Sequence, residues 1–110
     1  MATLLAEWEV PEFVYAVIFR AEMNDPDEDY FETASRMREL ALNDYGCLEF
    51  SSCCEGGSEI AISYWPSRQH IQAWKNNPEH QNAQSLGKTR WYKSYHVQLV
   101  EILAEYGSST

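Results

Sequence analysis

The segment from Phe13 to Ala21 constrains the fold most, because it is a strand-like run that is apolar on both faces. Aromatic and aliphatic side chains fill both alternating sets: Phe13, Tyr15, Val17 and Phe19 in one, and Val14, Ala16 and Ile18 in the other. Successive side chains of a strand point to opposite faces of its sheet. Since this strand is apolar on both sides, we predict a first strand over residues 13–22 in a sheet that is covered on both sides.

The next segment carries helix signals. Asp25 can cap a helix, Pro26 suits a first helical position, and the acidic residues that follow favour the positive end of the helix dipole. Gly46 lies where it can help to end this helix. Apolar residues recur between them at helical spacing, namely Tyr30, Ala34, Met37 and Ala41.

A hairpin and a broken helix complete the pattern. Strands over residues 47–54 and 59–65 flank a turn that contains Gly56 and Gly57. Ser67 caps a helix that runs to about Asn76, and Asn77 and Pro78 start a second helical piece that ends near Gly87. A last strand covers residues 91–103. The order β-α-β-β-α-β predicts an α+β, ferredoxin-like domain with an antiparallel sheet.

The chain has 110 residues, which fits one domain. We divide it into an N-terminal extension (1–12), the ferredoxin-like domain (13–104) and a flexible tail (105–110). A domain of this size buries about two-thirds of the surface of its unfolded chain, so association with a second copy would remove more apolar surface from water.

Charge and composition exclude several classes of protein. The formal net charge is −9, from 17 acidic and 8 basic residues, and no Lys/Arg run could follow a phosphate backbone. Nucleic acid and anionic membranes are therefore not expected as partners. The start of the chain lacks the basic region of a secretory signal, so we expect a cytoplasmic protein. Motifs for dinucleotides, for ATP and for elbow-type hydrolases are absent from the sequence.

The three cysteines, Cys47, Cys53 and Cys54, do not suggest a disulfide framework in a chain without an export signal. The adjacent pair lies on a predicted strand and should point to opposite faces. Neither the cysteines nor the histidines have the spacing of a metal site. We read the three as reduced thiols, with a redox or metal role for Cys53 and Cys54 as the alternative.

Several separated segments resemble the antibiotic biosynthesis monooxygenase family. They are the strand from Tyr15 to Phe19, the helix around Met37, the run from Ser63 to Trp65, the broken helix that carries Trp74 and His80, and the aromatic run from Trp91 to Tyr95. The resemblance covers roughly residues 14–102. It implies a dimeric α+β barrel, in which a second copy covers the open face of the sheet, and we expect a homodimer.

The resemblance also implies a chemistry, namely oxygenation of an electron-rich aromatic or polyketide-like compound without metal or flavin. Such substrates can supply electrons to O₂ once they are deprotonated, so the protein would provide a pocket and a base. One alternative is a non-catalytic, stress-related or small-molecule-binding dimer. A heme-binding or heme-degrading branch fits less well, because residues 15–19 contain no Asn and Gln84 occupies the position ten residues beyond Trp74.

His80 is the candidate base. In the first turn of a helix the dipole disfavours a protonated imidazole, and a neutral His can accept a proton. The alternative is that His80 only helps to cap the helix or lies on its surface. Trp74 either anchors its helix in the core with Ile71 or forms a pocket wall.

Other aromatic residues allow the same two interpretations. As further substrate-binding candidates we name Trp91, Tyr95, Trp65 and Tyr64. Core packing is the simpler role for each one. Because there are several of them, we also expect an aromatic-lined cavity somewhere in the domain.

Overall fold

A computed structural model describes residues 8–10, 14–25 and 27–108. Its framework is a four-stranded antiparallel sheet in the order β2-β3-β1-β4, with the predicted β-α-β-β-α-β order along the chain. The strands are β1 (Tyr15–Met23), β2 (Glu49–Glu55), β3 (Ser58–Trp65) and β4 (Tyr92–Glu101). The helices are α1 (Glu28–Glu39), α2 (Arg68–Lys75) and α3 (Pro78–Leu86). The predicted ferredoxin-like α+β fold is confirmed.

The boundaries agree with the prediction to within about two residues, apart from Phe13, which lies outside the described residues. Glu9 pairs with Glu105 in an isolated bridge, so part of the predicted extension contacts the start of the predicted tail. No helix in the described ranges combines the length and the apolar composition needed to cross a membrane.

The register of β1 decides which side chains face the helices. Tyr15 and Val17 pack against one buried cluster, and Phe19 packs against another. Residues paired directly across an antiparallel sheet lie on the same face. The pairings of Val17 with Ser63 and of Ala21 with Glu59 therefore place the alternating residues Glu59, Ala61, Ser63 and Trp65 of β3 under the helices. Ile60 and Ile62 of β3 lie on the opposite face, which we call the open face.

Side-chain caps start all three helices. Ser67 accepts a hydrogen bond from the His70 amide, and Asn77 Oδ1 accepts from the amides of Glu79 (2.8 Å) and His80 (3.2 Å). Pro78 is the first residue of α3, as predicted. The first helix differs, because its cap is Asp27, which accepts from the Tyr30 amide at 2.9 Å. The cap predicted at Asp25 is wrong by two residues, and Pro26 lies outside the described residues.

The core is divided into two clusters. The first, which we call the Trp65 cluster, contains Trp65, Trp74, Met37, Leu40, Ala41, Cys47 and Ile71. The second, the Trp91 cluster, contains Trp91, Tyr30, Ala21 and Met23. Helix α3 touches both, since Ala83 packs against the first cluster and Leu86 against the second.

Two π-helical turns, Leu40–Asp44 and Gly87–Trp91, extend α1 and α3. Such turns in otherwise α-helical segments are uncommon and occur often at functional sites. The second turn begins at Gly87, where an added Cβ would lie 2.6 Å from Cε2 of Tyr92. The absence of a side chain at Gly87 therefore lets the Tyr92 ring pack directly on the helix backbone.

We predict that Gly87→Ala destabilises the domain. Helix propensity alone favours Ala by about 1 kcal/mol, whereas overpacking costs about 1–3 kcal/mol, so we expect a net loss of about 1 kcal/mol in urea unfolding. Gly107→Ala is the matched control, because nothing lies within 4 Å of the position of its added Cβ. In a Tyr92→Ala background the same Gly87→Ala change should become stabilising, and a loss that persists there would contradict the steric explanation.

Candidate functional site

The predicted site residues lie in three places. Trp65, Trp74 and His80 meet at one end of the helix-covered face, where the Trp65–Trp74 ring centroids are 5.2 Å apart and the Trp74–His80 centroids 4.2 Å apart. Trp91 belongs to the other core cluster, and Tyr95 lies beside Phe19, with ring centroids 6.4 Å apart. Tyr64 pairs with Ala16 on the open face. The six residues therefore do not line one common pocket.

His80 is held by its own helix. The cap at Asn77 fixes its backbone, Trp74 meets its ring edge to face, and Gln84 one turn later contacts Nδ1 at 2.7 Å. The break at Asn77 and Pro78 thus turns the imidazole towards Trp74 and leaves it partly buried. Contact between Trp74 and His80 could not be read from a separation of six residues along the chain.

The environment keeps His80 neutral. Burial and the nearby Lys75 ammonium lower the pKa of His80 from 6.5 to about 4. The donor and acceptor roles of its contact with Gln84 depend on the tautomer. The atom of Gln84 in contact is its amide nitrogen Nε2, which can only donate, so Nδ1 accepts this hydrogen bond and the neutral ring carries its hydrogen on Nε2. His80 is therefore unprotonated at neutral pH, with Gln84 as the donor to Nδ1.

Trp74 is itself fixed in the core, so its indole can hold the His80 ring in place. Its side chain is 8% exposed, and its Nε1 donates to the Met37 carbonyl at 3.2 Å. Trp65 is fully buried, and its Nε1 donates to Ser63 Oγ at 2.8 Å. Both indole rings therefore pack in the core, and the Nε1 atom of each is hydrogen-bonded.

A second polar group lies at the other end of the same face. Glu59 is only 8% exposed, and its Oε2 accepts a hydrogen bond from the Tyr30 hydroxyl. The Tyr92 ring meets the Tyr30 ring edge to face, with ring centroids 6.0 Å apart. Burial and these neighbours raise the pKa of Tyr30 well above its usual value, and burial raises that of Tyr92 to about 12. We call Glu59, Tyr30 and Tyr92 the buried acidic chain.

The burial of Glu59 was not predicted from the sequence. Residues 59–64 alternate Glu, Ala and Ser with Ile, Ile and Tyr, a pattern that favours burial of the isoleucine side. Instead, the structure places the Glu59 side under helix α1. A buried Glu beside two tyrosines has no local sequence signal, since Tyr30 is 29 residues away.

The remaining candidates can be placed as well. Among the described residues no group of three or more His, Cys, Asp or Glu side chains could hold a metal ion. Cys53 and Cys54 are exposed on β2, and Cys47 is buried just before it. Two open grooves have volumes of about 230 and 270 Å³, and His80 lines neither of them. The first is between α1 and α3, and the second is beside Arg20 and Tyr95 at the β1–β4 pair.

Fold and site together define an α+β domain with a neutral, partly buried histidine on a broken helix. The model of the antibiotic biosynthesis monooxygenase family matches residues 14–86. The chain belongs to that family.

The chain is also similar to individual proteins. The uncharacterised protein YqjZ of Bacillus subtilis (strain 168) is 38% identical over 103 residues, which are 93% of this chain and 90% of that protein. Rv0793 of Mycobacterium tuberculosis has a TM-score of 0.73 at 18% identity, over 86% of this chain and 99% of that chain. SnoaB, a cofactor-independent oxygenase from Streptomyces nogalater, has a TM-score of 0.67 at 11% identity, over 79% and 90%. At these identities the two solved structures show the shared fold.

The lowered pKa of His80 predicts a dependence of stability on pH. The unfolded chain binds a proton near pH 6.5, whereas the folded chain resists it until about pH 4. The contribution of His80 to the free energy of unfolding is therefore fully present above pH 6.5. It is lost as pH falls towards 4, by roughly 2 kcal/mol after allowance for partial exposure. NMR titration of the imidazole, assigned with His80→Gln, should give a pKa near 4. An imidazole that titrates near 6.5 would show that the ring is solvated.

Proposed function

We propose that the protein is a cofactor-independent monooxygenase that acts on an electron-rich aromatic or polyketide-like compound. The observation that carries this proposal is the placement of His80, whose neutral imidazole meets the Trp74 ring edge to face. The two ring centroids are 4.2 Å apart. Membership of the family supports it, as does the shared fold with SnoaB, itself a cofactor-independent oxygenase.

In the proposed reaction Nδ1 of His80 leaves its hydrogen bond with Gln84 and takes a proton from an acidic C–H or O–H group of the substrate. The resulting carbanion or phenolate gives electrons to O₂, and a C–O bond forms at a carbon that still carries one hydrogen. The O–O bond of this peroxide then breaks as that hydrogen leaves as a proton. One oxygen atom becomes the carbonyl, and the other leaves as water with that proton and the proton that His80 returns. An imidazolium with a pKa near 4 gives up its proton more readily than an ordinary imidazolium does, so it can return the proton to the departing oxygen. Exclusion of water by the surrounding core would protect the reactive anion.

The aromatic candidates take different roles in this proposal. Trp74 orients His80, whereas Trp65 and Trp91 are too deeply buried to touch a ligand without rearrangement. Tyr95 is 43% exposed on the helix-covered face and is the candidate that a substrate can reach directly.

Oxygen uptake tests the reaction. We expect purified protein with an anthrone or a quinol to consume O₂ faster than buffer, and His80→Ala to reduce this rate by about 10²-fold or more, as for the loss of a general base. His70→Ala is the control, because His70 is exposed and hydrogen-bonds with Ser67 at the start of α2. A rate at the buffer level, or one that His80→Ala leaves unchanged, excludes His80-dependent oxygenation. Turnover absent despite tight binding would favour a non-catalytic binding protein.

We also propose that the protein is a homodimer joined through the open face of the sheet. The apolar residues at the centre of this face are Ala16, Ile18, Ile60, Ile62, Tyr64 and Val100. Ile60 is 41% exposed, although it lies in the second strand from the edge. A second copy, sheet against sheet, would cover the members of this set that are exposed, Ile60 above all, and would explain why β1 is apolar on both faces.

Sedimentation equilibrium tests the dimer. We expect a dimer for the unmodified protein and at least a tenfold weaker association for Ile60→Glu, because the charge would be buried at the interface. Leu42→Glu is matched in exposure, at 39%, but lies at the end of α1, so it should leave association unchanged. A monomer at micromolar concentration, or equal effects of the two changes, would contradict an open-face dimer.

A further inference from the structure

The open face of the sheet has a polar end at the β1–β4 pair. Arg20 pairs with Ile60 and therefore lies on this face, and so does Glu22, two residues further along β1. The register with β4 places His96 directly opposite Arg20, and Ser94 directly opposite Glu22. These four polar residues are among the six that line the groove of about 270 Å³. Since pockets for drug-sized ligands begin at roughly 300 Å³, the groove suits a smaller molecule.

Arg20 brings an unpaired positive charge to this groove. Its side chain is exposed on a central strand, and within the described ranges it forms neither an ion pair nor a hydrogen bond. A guanidinium group presents a fork of N–H donors that matches the two oxygens of a carboxylate. The neighbouring His96 carries a ring N–H in either neutral tautomer. The row formed by Arg20 and His96 can therefore donate several hydrogen bonds to one carboxylate.

Glu22 gives the same groove a negative charge. Its Oε1 accepts a hydrogen bond from Ser58 Oγ at 2.7 Å, and Ser58 lies on β3, across β1 from the groove. Two residues span roughly 7 Å along an extended strand, yet Arg20 and Glu22 do not form an ion pair. The groove therefore holds a cation and an anion, side by side on one face, that do not neutralise each other.

The charge of the whole chain decides which class of ligand fits. With a formal net charge of −9, the protein repels a small anion at long range. Within the groove, Glu22 repels it as well. A ligand without net charge avoids both penalties, provided that its carboxylate meets Arg20 and a cationic group meets Glu22. A zwitterionic α-amino acid is such a ligand, because its carboxylate and its ammonium group are attached to the same carbon atom.

From this arrangement we propose that the groove binds a small α-amino acid, with its carboxylate on Arg20 and His96 and its ammonium group on Glu22. The two charges of the groove fix the orientation of the ligand, since the reverse orientation would bring like charges together. The groove lies on the opposite face of the sheet from His80. The proposal concerns binding alone, so it does not depend on oxygen chemistry.

NMR titration of the main-chain amides with L-alanine, propanoate and L-alaninamide tests the proposal. Propanoate lacks the ammonium group of alanine, and alaninamide lacks its carboxylate. We expect alanine to shift the amides of residues 20, 22, 94 and 96 with a millimolar dissociation constant, because the groove is open to solvent. Each of the other two probes should bind at least about fivefold more weakly, since each leaves one charge of the groove without its partner.

Two variants assign the two charges. Arg20→Gln should weaken alanine binding at least about fivefold and leave the affinity for alaninamide, which has no carboxylate, unchanged. Glu22→Gln should instead remove the preference for alanine over propanoate. Arg68→Gln is the matched control: it removes the same charge from an exposed residue at the start of α2, on the other side of the sheet, so alanine binding should persist.

Several results would overturn the proposal. They are equal affinities for alanine and either of the other probes, no saturable shift with any probe, or a preference that both Arg20→Gln and Glu22→Gln leave intact. If no probe binds and Arg20→Gln weakens self-association in sedimentation equilibrium, Arg20 pairs with a carboxylate of a second copy, and there is no amino acid site. Failure of the oxygen-uptake experiment would leave the outcome of these titrations unaffected.

Discussion

The central position of β1 is the constraint on which the rest of the structure depends. This strand is hydrogen-bonded to β3 on one side and to β4 on the other, and its register with β3 is continuous from Tyr15 to Glu22. A slip by one residue would exchange the two faces of β3. Ile60 and Ile62 would then enter the helix-covered core, and Glu59 would move to the open face.

The observed register therefore buries a polar group, and a hydrogen bond offsets this unfavourable burial. It buries a carboxylate, which is unfavourable unless the group is hydrogen-bonded, and Tyr30 on α1 supplies that bond. It also leaves two isoleucines on the open face, which a second copy would cover. One choice of register thus links the buried acidic chain to the proposed dimer.

Much of the fold follows from local chemistry that the sequence displays. Ser67, Asn77 and Pro78 start their helices as predicted, because a cap depends on residues within three positions of it. The start of α1 was predicted less well, since several acids lie together there. The choice of Asp27 involves Arg90, which is 63 residues away and pairs with its carboxylate. The strand faces likewise depend on distant partners, so sequence patterns could not separate the aromatic residues of the core from Tyr64 and Tyr95.

In the candidate site, too, some features depend on neighbouring residues and could be predicted, whereas others depend on distant residues and could not. That His80 lies in the first turn of a helix could be predicted, because Asn77 and Pro78 precede it directly. Its contact with Trp74 needed the angle between α2 and α3, which is a tertiary property. Glu59 could not be found from sequence, because the alternation in β3 favours burial of its neighbours and the partner hydroxyl is on another element.

Helix α3 links the position of His80 to that of the Tyr92 ring. No residue of α3 is fully buried, and besides Ala83 its contacts lie near the two ends: Asn77 and His80 at the start, Leu86 and the turn at Gly87 at the end. His80 and Gly87 are seven residues apart, about 10 Å along a helix. The first end carries the neutral His80 ring, and the second supports the Tyr92 ring. Because one short helix bears both, a shift of α3 that loosens the packing of Trp74 on His80 would also alter the space available to the Tyr92 ring.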